Sequence, residues 1–185
     1  MNWVLWIAIV SVVVIGMLAC VGLFLPKTMR GQCETKLPQS REVVWKTILD
    51  YQAYPSWQSG LKEVRGIRQG EQVQIMDMTI TLPSSGGQWG WIEVWGNYSD
   101  TVYLFQVIEE QPPSRVVIRE EAVDYGYRAV RVYELTTLDS QMTVMRATWE
   151  KEQGPVSRSL SWVFKEKAEE LEYFLANLKK KLGEA

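Results

Sequence analysis

The pattern of apolar and polar positions divides the chain into three parts. Residues from Trp3 to Leu25 are almost all apolar, and none is charged. From Leu61 to Lys151, short segments rich in β-branched and aromatic residues are separated by turn-forming residues, which is typical of an antiparallel sheet. From about Val156 to Leu182, apolar residues recur at steps of three and four, which predicts an amphipathic helix.

The first part is long enough to cross a membrane. As a helix, Val4 to Leu25 would extend about 33 Å at 1.5 Å per residue, against a hydrocarbon core of about 30 Å. A secretory signal or lipoprotein processing at Cys20 is the alternative, but the apolar run is longer than a signal normally has. We therefore predict a transmembrane anchor over residues 1–26, a juxtamembrane linker over 27–31 and a soluble domain over 32–185.

Basic residues flank this segment on one side only. Lys27, Arg30, Lys36 and Arg41 follow it, and no basic side chain precedes it. The positive-inside rule then predicts a single-pass protein of the inner or plasma membrane with its soluble domain in the cytoplasm. A reporter that is active only in the cytosol, fused to Ala185, tests this orientation, and an inactive fusion would reverse it.

The soluble part contains helices at its two ends and strands between them. A short strand over Gln32–Leu37 precedes a helix over Arg41–Asp50 that Ser40 can cap, and Tyr51–Gly60 suggests a second short helix or turn. The predicted strands that follow are Leu61–Arg68, Val73–Leu82, Trp89–Tyr98, Thr101–Glu109, Arg115–Ala122, Tyr127–Leu138 and Met142–Lys151. Short connections favour antiparallel neighbours, so the chain is predicted to be an α+β protein whose sheet packs on the last helix.

Several residues of the soluble part resemble a known superfamily. Val43-Val44-Trp45, Leu49-Asp50 and Tyr54-Pro55-Ser56-Trp57 resemble the N-terminal signature of the START-like (SRPBCC) superfamily, polyketide cyclase/dehydrase type. Tyr133-Glu134-Leu135 and the helix end at Leu171–Leu182 resemble its C-terminal half, and the apolar start resembles its membrane-anchored members. The resemblance implies a helix-grip fold with a cavity between the sheet and the last helix. Proteins of this superfamily include carriers, cyclases, hydrolases and ligand sensors, so the resemblance does not identify a reaction.

Composition narrows the chemistry that is available. The chain has 185 residues with no histidine, two cysteines and a net charge of −2. It therefore lacks the usual general base and the commonest metal ligand, and it has no basic excess for binding nucleic acid. The acidic residues form no recognisable metal cluster, so we expect neither a metal nor another cofactor, and the partners that we expect are the bilayer and an apolar small molecule.

One predicted strand carries the strongest candidate site. Trp89, Trp91 and Trp95 lie on the same face of it as Glu93 because side chains alternate along a strand. These indoles could be ordinary core residues or one wall of a ligand pocket. A carboxylate among them would have a raised pKa unless it were paired, and Arg131 or Arg146 could supply the partner, although a solvent-exposed Glu93 is the commoner case.

Other candidates come from the resemblance and from side-chain chemistry. Trp57 could pack under the short helices or gate a cavity, and Met76 and Met78 could face the interior as adaptable side chains or as plain core. On the last helix, Phe164, Ala168 and Leu171 belong to the apolar stripe and are expected to contact a ligand.

The function that we predict is membrane-anchored binding of a hydrophobic or amphipathic molecule, such as a lipid or a quinone, by a carrier or sensor. A cyclase- or hydrolase-type enzyme is the first alternative, since Arg131 and Tyr133 share a strand face with Tyr125 and Tyr127 and could polarise a carbonyl. A scaffold with a filled interior is the second.

Overall fold

The chain forms an N-terminal helix, a large antiparallel sheet and two C-terminal helices. The computed structural model describes residues 3–96, 100–123, 127–164 and 169–183, and their side chains except those of 127, 160–164, 169 and 170. The helices are α1 (Trp3–Leu23), α2 (Arg41–Leu49), α3 (Pro155–Phe164) and α4 (Glu169–Gly183), with a 3-10 helix over Tyr51–Ser56. The strands are β1 (Thr28–Leu37), β2 (Leu61–Arg68), β3 (Gln72–Ile75), β4 (Met78–Thr81), β5 (Trp89–Gly96), β6 (Asp100–Gln111), β7 (Arg115–Ala122), β8 (Tyr127–Asp139) and β9 (Met142–Glu152).

Seven strands form the main sheet in the order β1-β9-β8-β7-β6-β5-β2. All neighbours in it are antiparallel, as the short connections predict. At one end of the sheet Thr28 of β1 pairs with Glu152 of β9, and Trp95 of β5 pairs with Thr101 of β6. Ala122, the last residue of β7, lies at this same end. We call it the anchor end, because α1 leads into β1 there and β9 leads into α3.

The last helix packs on one face of the sheet. The stripe of α4 is buried at spacings of three and four residues, which is the period of a helix with one apolar face, and it shares a core with α2 and the sheet. The buried residues of this stripe are Leu171, Phe174, Leu175, Leu178 and Leu182. An antiparallel sheet that holds a C-terminal helix confirms the predicted α+β helix-grip architecture.

The opposite face of the sheet carries a second core. The predicted single strand over Val73–Leu82 is instead the hairpin of β3 and β4, with Met76 at a φ of 55° between them. Ile75 and Ile80 of the hairpin are buried against Ile92 and Leu104 of the main sheet. The turn coincides with a change of phase in the apolar alternation, because Ile75 and Met76 are adjacent apolar residues, and the prediction of a single strand overlooked this signal.

Helices α3 and α4 lie in the range of the predicted single helix over Val156–Leu182. Residues 165–168 between them lie outside the described residues. The described contacts of α3 are with α1. Ser159 Oγ donates a hydrogen bond to the Leu18 carbonyl at 2.6 Å, and Arg158 Nη1 donates to the Gly22 carbonyl at 3.0 Å. Among the residues of the stripe whose side chains are described, those from Leu171 to Leu182 pack in the core with the sheet.

The N-terminal helix has the length and apolar composition of a membrane span. Its 21 residues contain no charge, and apart from the contact with α3 its apolar side chains are exposed. Strand β1 begins at Thr28, so residues 28–31 of the predicted linker already belong to the sheet. The distance along the chain between α1 and the sheet is therefore only a few residues.

The contact between α1 and α3 depends on the absence of a side chain at Gly22. A Cβ at this position would lie 1.7 Å from the carbonyl oxygen of Pro155, which is backbone and cannot rotate away. Gly22→Ala should therefore displace the start of α3 and raise hydrogen-exchange rates of its amides by about tenfold or more, since overpacking costs about 1–3 kcal/mol. Gly16→Ala is the matched control, because a Cβ there meets nothing within 4 Å. Equal exchange rates in the two variants would contradict the contact.

Candidate ligand-binding cavity

A cavity of about 370 Å³ lies between the sheet and α4. Four neighbouring strands, the 3-10 helix and α4 contribute its lining, so residues far apart in the sequence meet there. The lining residues are Tyr54, Gln58, Trp91, Glu93, Trp95, Thr101, Tyr103, Phe105, Ile118, Glu120, Arg131, Tyr133, Tyr173 and Phe174. The volume lies within the range of about 300–1,000 Å³ that is usual for small-molecule sites.

Stacked aromatic rings form the rigid wall of this cavity. The Trp91 ring lies between Tyr51 and Phe105, with centroid distances of 5.4 and 5.2 Å and nearly parallel planes. On the α4 side, Phe174 stacks on Tyr133 at 5.5 Å. Trp91 is therefore both a core residue and part of the cavity wall, which are the two roles that the sequence left open.

Glu93 is buried in the cavity wall and is bound by two indoles. Trp91 Nε1 donates a hydrogen bond to Glu93 Oε1, and Trp95 Nε1 donates to Glu93 Oε2, both at 2.8 Å. The alternation of strand β5 produces this arrangement, since the three side chains share a face. Glu93 is only 3% exposed, which corrects the expectation that it faces solvent.

Burial changes the acidity of Glu93. Removal from water raises the pKa of its carboxyl group from 4.5 to about 7, although the indole hydrogen bonds and the charge of Arg131 oppose this increase. The nearby carboxylate of Glu120 raises the pKa further. Glu93 can therefore gain or lose a proton near neutral pH.

Arg131 forms an ion pair inside the cavity, but its partner is Glu120. Arg131 Nε lies 2.5 Å from Glu120 Oε2, and the guanidinium carbon lies 5.6 Å from the centre of the Phe105 ring. The Glu120 residue is 1% exposed. The register of β7 and β8, which pairs Ile118 with Arg131, brings the two charges together. The sequence analysis missed Glu120, although it follows Val116 and Ile118 on the buried face of β7 and so breaks an apolar alternation.

Two tyrosines of the lining have altered acidity because they are buried. Burial raises the pKa of Tyr133, and Arg131 opposes that change through its charge and a hydrogen bond. Burial also raises the pKa of Tyr54, whose hydroxyl donates to the Ile48 carbonyl. Both phenols therefore stay protonated at neutral pH and act as hydrogen-bonding groups. The sequence analysis did not select Tyr54, Tyr103 or Phe174, because their positions relative to Trp91 depend on the tertiary fold.

The structure brings together four of the predicted site residues. Trp91, Glu93, Trp95 and Arg131 all line the cavity. Trp57 packs on the rings of Tyr54 and Phe174, at centroid distances of 5.0 and 5.8 Å, and holds the cavity wall from behind. Leu171 is buried in the core beneath α4 and does not line the cavity. Ala168 lies outside the described residues, as does the side chain of Phe164.

Three predicted residues lie away from the cavity. Met76 is 56% exposed and Met78 packs on the second core, because the hairpin that carries them covers the other face of the sheet. The expectation that these methionines face the cavity is therefore wrong. Arg146 is exposed and pairs with Glu34 at 3.3 Å. It cannot be the partner of Glu93, because its neighbours Met145 and Ala147 occupy the buried face of β9.

The cavity is suited to binding through apolar contact and a few polar groups. Among the described residues, no group of three or more acidic, cysteine or histidine side chains could hold a metal ion. The site offers a buried carboxyl group whose pKa is raised to about 7, an ion pair and two neutral phenols among aromatic rings.

Comparisons with known proteins identify the fold. No protein-family model and no curated protein matches the chain. A START superfamily protein from Mycobacterium smegmatis is similar in structure, with 13% sequence identity and a TM-score of 0.59 over 84% of this chain and 97% of that one. A norcoclaurine synthase from Thalictrum, solved with a transition-state analogue, has 11% identity and a TM-score of 0.57 over 85% and 95% of the two chains.

A di-domain ARO/CYC protein, StfQ, from the steffimycin biosynthetic pathway has 7% identity and a TM-score of 0.59. The match covers 85% of this chain and 52% of that one. At such identities the similarity concerns the fold alone. The chain therefore has the START-like helix-grip fold that its sequence resembles.

Proposed function

We propose that this chain is a membrane-tethered binding protein that takes one small amphipathic molecule into the cavity beneath α4. The observation that carries this proposal is the 370 Å³ cavity, in which aromatic walls surround buried polar groups. Burial of apolar ligand surface would supply the affinity at about 25 cal/mol per Å². The polar groups would fix the orientation of the ligand.

The size of the cavity limits the ligand. Its volume is near the lower end of the range of about 300–1,000 Å³ for small-molecule sites. We therefore expect a molecule with one ring system or one short chain, such as a quinone head group or a single-chain lipid, rather than a phospholipid with two long chains. This also argues against a scaffold with a filled interior.

The direction of the cavity supports uptake from the membrane. Thr101 and Trp95 line the cavity and pair with each other at the anchor end of the sheet. Tyr173, which is 42% exposed, belongs to the same lining. The more accessible part of the cavity thus lies at the end from which α1 extends, where a ligand dissolved in the bilayer would have a high effective concentration.

Blocking this accessible end should abolish ligand binding. Thr101→Trp places a large ring among the lining residues, so we expect the variant to bind its ligand about tenfold less tightly or worse, since overpacking costs about 1–3 kcal/mol. Native mass spectrometry of the full chain in gentle detergent measures the effect as the loss of a co-purifying mass. Thr137→Trp is the matched control, because Thr137 is exposed at the far end of β8. Absence of any bound mass from the unmodified chain in repeated preparations would count against the proposal.

A second candidate function is catalysis in the same cavity. It is favoured by Glu93, whose pKa of about 7 suits a group that accepts and donates protons at neutral pH. Arg131 and Tyr133 lie near it and could stabilise negative charge on a substrate oxygen. Chemical conversion of the co-purifying molecule by the unmodified chain, and not by Glu93→Gln, would distinguish this function from simple binding.

A further inference from the structure

The described lining of the cavity carries more acidic than basic side chains. Of the lining residues with charged side chains, Glu93 and Glu120 are acidic and Arg131 is basic, so the sum is −1 when both carboxyl groups are ionised. Among the described lining residues, the other titratable groups are phenols. These phenols are Tyr54, Tyr103, Tyr133 and Tyr173.

Of the two carboxylates, Glu93 is the one without a described ion-pair partner. The nearest cation, Arg131, lies 2.5 Å from Glu120, whereas the described hydrogen bonds of Glu93 come from two neutral indoles. No described salt bridge includes Glu93. Each of its oxygens accepts one indole hydrogen bond and retains a second lone pair. A buried carboxylate with neutral partners is costly when ionised, and a cation would remove that cost.

The rest of the cavity suits an organic cation. Aromatic side chains from β5, β6, the 3-10 helix and α4 surround the space beside Glu93. Aromatic rings attract a desolvated cation through their quadrupoles, and carboxylates reinforce this attraction. A carboxylate ligand, by contrast, would be repelled by the net negative charge of the described lining residues.

From this arrangement we infer, resting on the function proposed above, that the ligand is an amphiphile whose polar end is a protonated amine. The ammonium group donates a hydrogen bond to Glu93, and the apolar part lies against the aromatic rings that line the cavity. Binding of the cation favours the ionised form of Glu93. Where the carboxyl group is protonated in the empty cavity, binding of the cation therefore releases that proton.

The test compares three probes that share a phenyl ring and a similar chain: 3-phenylpropylammonium, 3-phenylpropan-1-ol and 3-phenylpropanoate. Ligand-observed NMR with the full chain in detergent, against empty micelles, measures their affinities. At about pH 8 we expect the ammonium probe to bind about tenfold tighter than the alcohol, and the carboxylate to bind most weakly. As the pH falls through 7, protonation of Glu93 should weaken the ammonium probe and leave the alcohol unchanged.

Variants separate this charge effect from general binding. Glu93→Gln should reduce the affinity for the ammonium probe to that for the alcohol, and Arg146→Gln, outside the cavity, should leave both affinities unchanged. The Glu93→Gln substitution also replaces an oxygen that accepts a hydrogen bond from one indole, so it changes more than the charge. The pH dependence of the unmodified chain tests the charge effect without a substitution.

The outcomes distinguish the two proposals. Equal binding of alcohol and ammonium probes, or tightest binding of the carboxylate, would overturn the inference and leave the binding function intact. Failure of all three probes, together with no co-purifying mass, would overturn both.

Discussion

Replacing Arg131 by methionine should lower the free energy of unfolding by about 3–5 kcal/mol, because it leaves a buried carboxylate without its cation. Glu120 is 1% exposed and lies 2.5 Å from Arg131, so bulk water contributes little to the solvation of its charge. Chemical denaturation of the full chain in detergent, followed by circular dichroism, measures the change.

Arg146→Met is a matched control for that substitution. Its ion pair with Glu34 is exposed, and exposed pairs contribute about 0–1 kcal/mol. The double variant Arg131→Met with Glu120→Met should regain much of the stability, since replacing a whole buried pair by apolar residues is often neutral. Similar losses in the two single variants would show that the pair in the cavity is not desolvated as the structure indicates.

The second large effect is a dependence of stability on pH that comes from Glu93. Its pKa rises from 4.5 to about 7 on folding, so between these values the folded state binds more protons than the unfolded state. Stability from this group is complete below about pH 4.5 and is lost as pH rises through about 7. We expect the empty protein to lose about 2–3 kcal/mol between about pH 5 and pH 8 from this group alone.

The measurement compares denaturation of the unmodified chain and of Glu93→Gln at both pH values. Glutamine does not titrate, so the variant should lack this part of the pH dependence, whatever its absolute stability. Addition of the ammonium probe at about pH 8 should also stabilise the unmodified chain more than the variant. Identical pH profiles for the two chains would mean that Glu93 is solvated, and they would contradict the role proposed for it in the cavity.

Much of the fold could be predicted because the signals are local. The strands were located by alternation and turn residues, and all of them pair as antiparallel neighbours. The error at Met76 arose because the tight hairpin contains neither glycine nor proline, and its positive φ of 55° is visible only in the structure.

The candidate site could be predicted only in part. Trp91, Glu93 and Trp95 are two residues apart, so their common face follows from the geometry of one strand. Glu120 was not found, because a single carboxylate on an apolar face has no meaning until the neighbouring strand places a cation beside it.

The sequence by itself determined the apolar N-terminal helix, the series of antiparallel strands before an apolar helical stripe, and the face that the indoles share with Glu93. These features depend on the rise and period of single elements, which a few neighbouring residues set. The tertiary structure decided that Arg131 lies in the cavity while Arg146 lies in solvent, and that Glu120 is the partner of Arg131. Strand period separates the two faces of a strand, but only the register between strands and the packing of α4 decide which charges meet and which are removed from water.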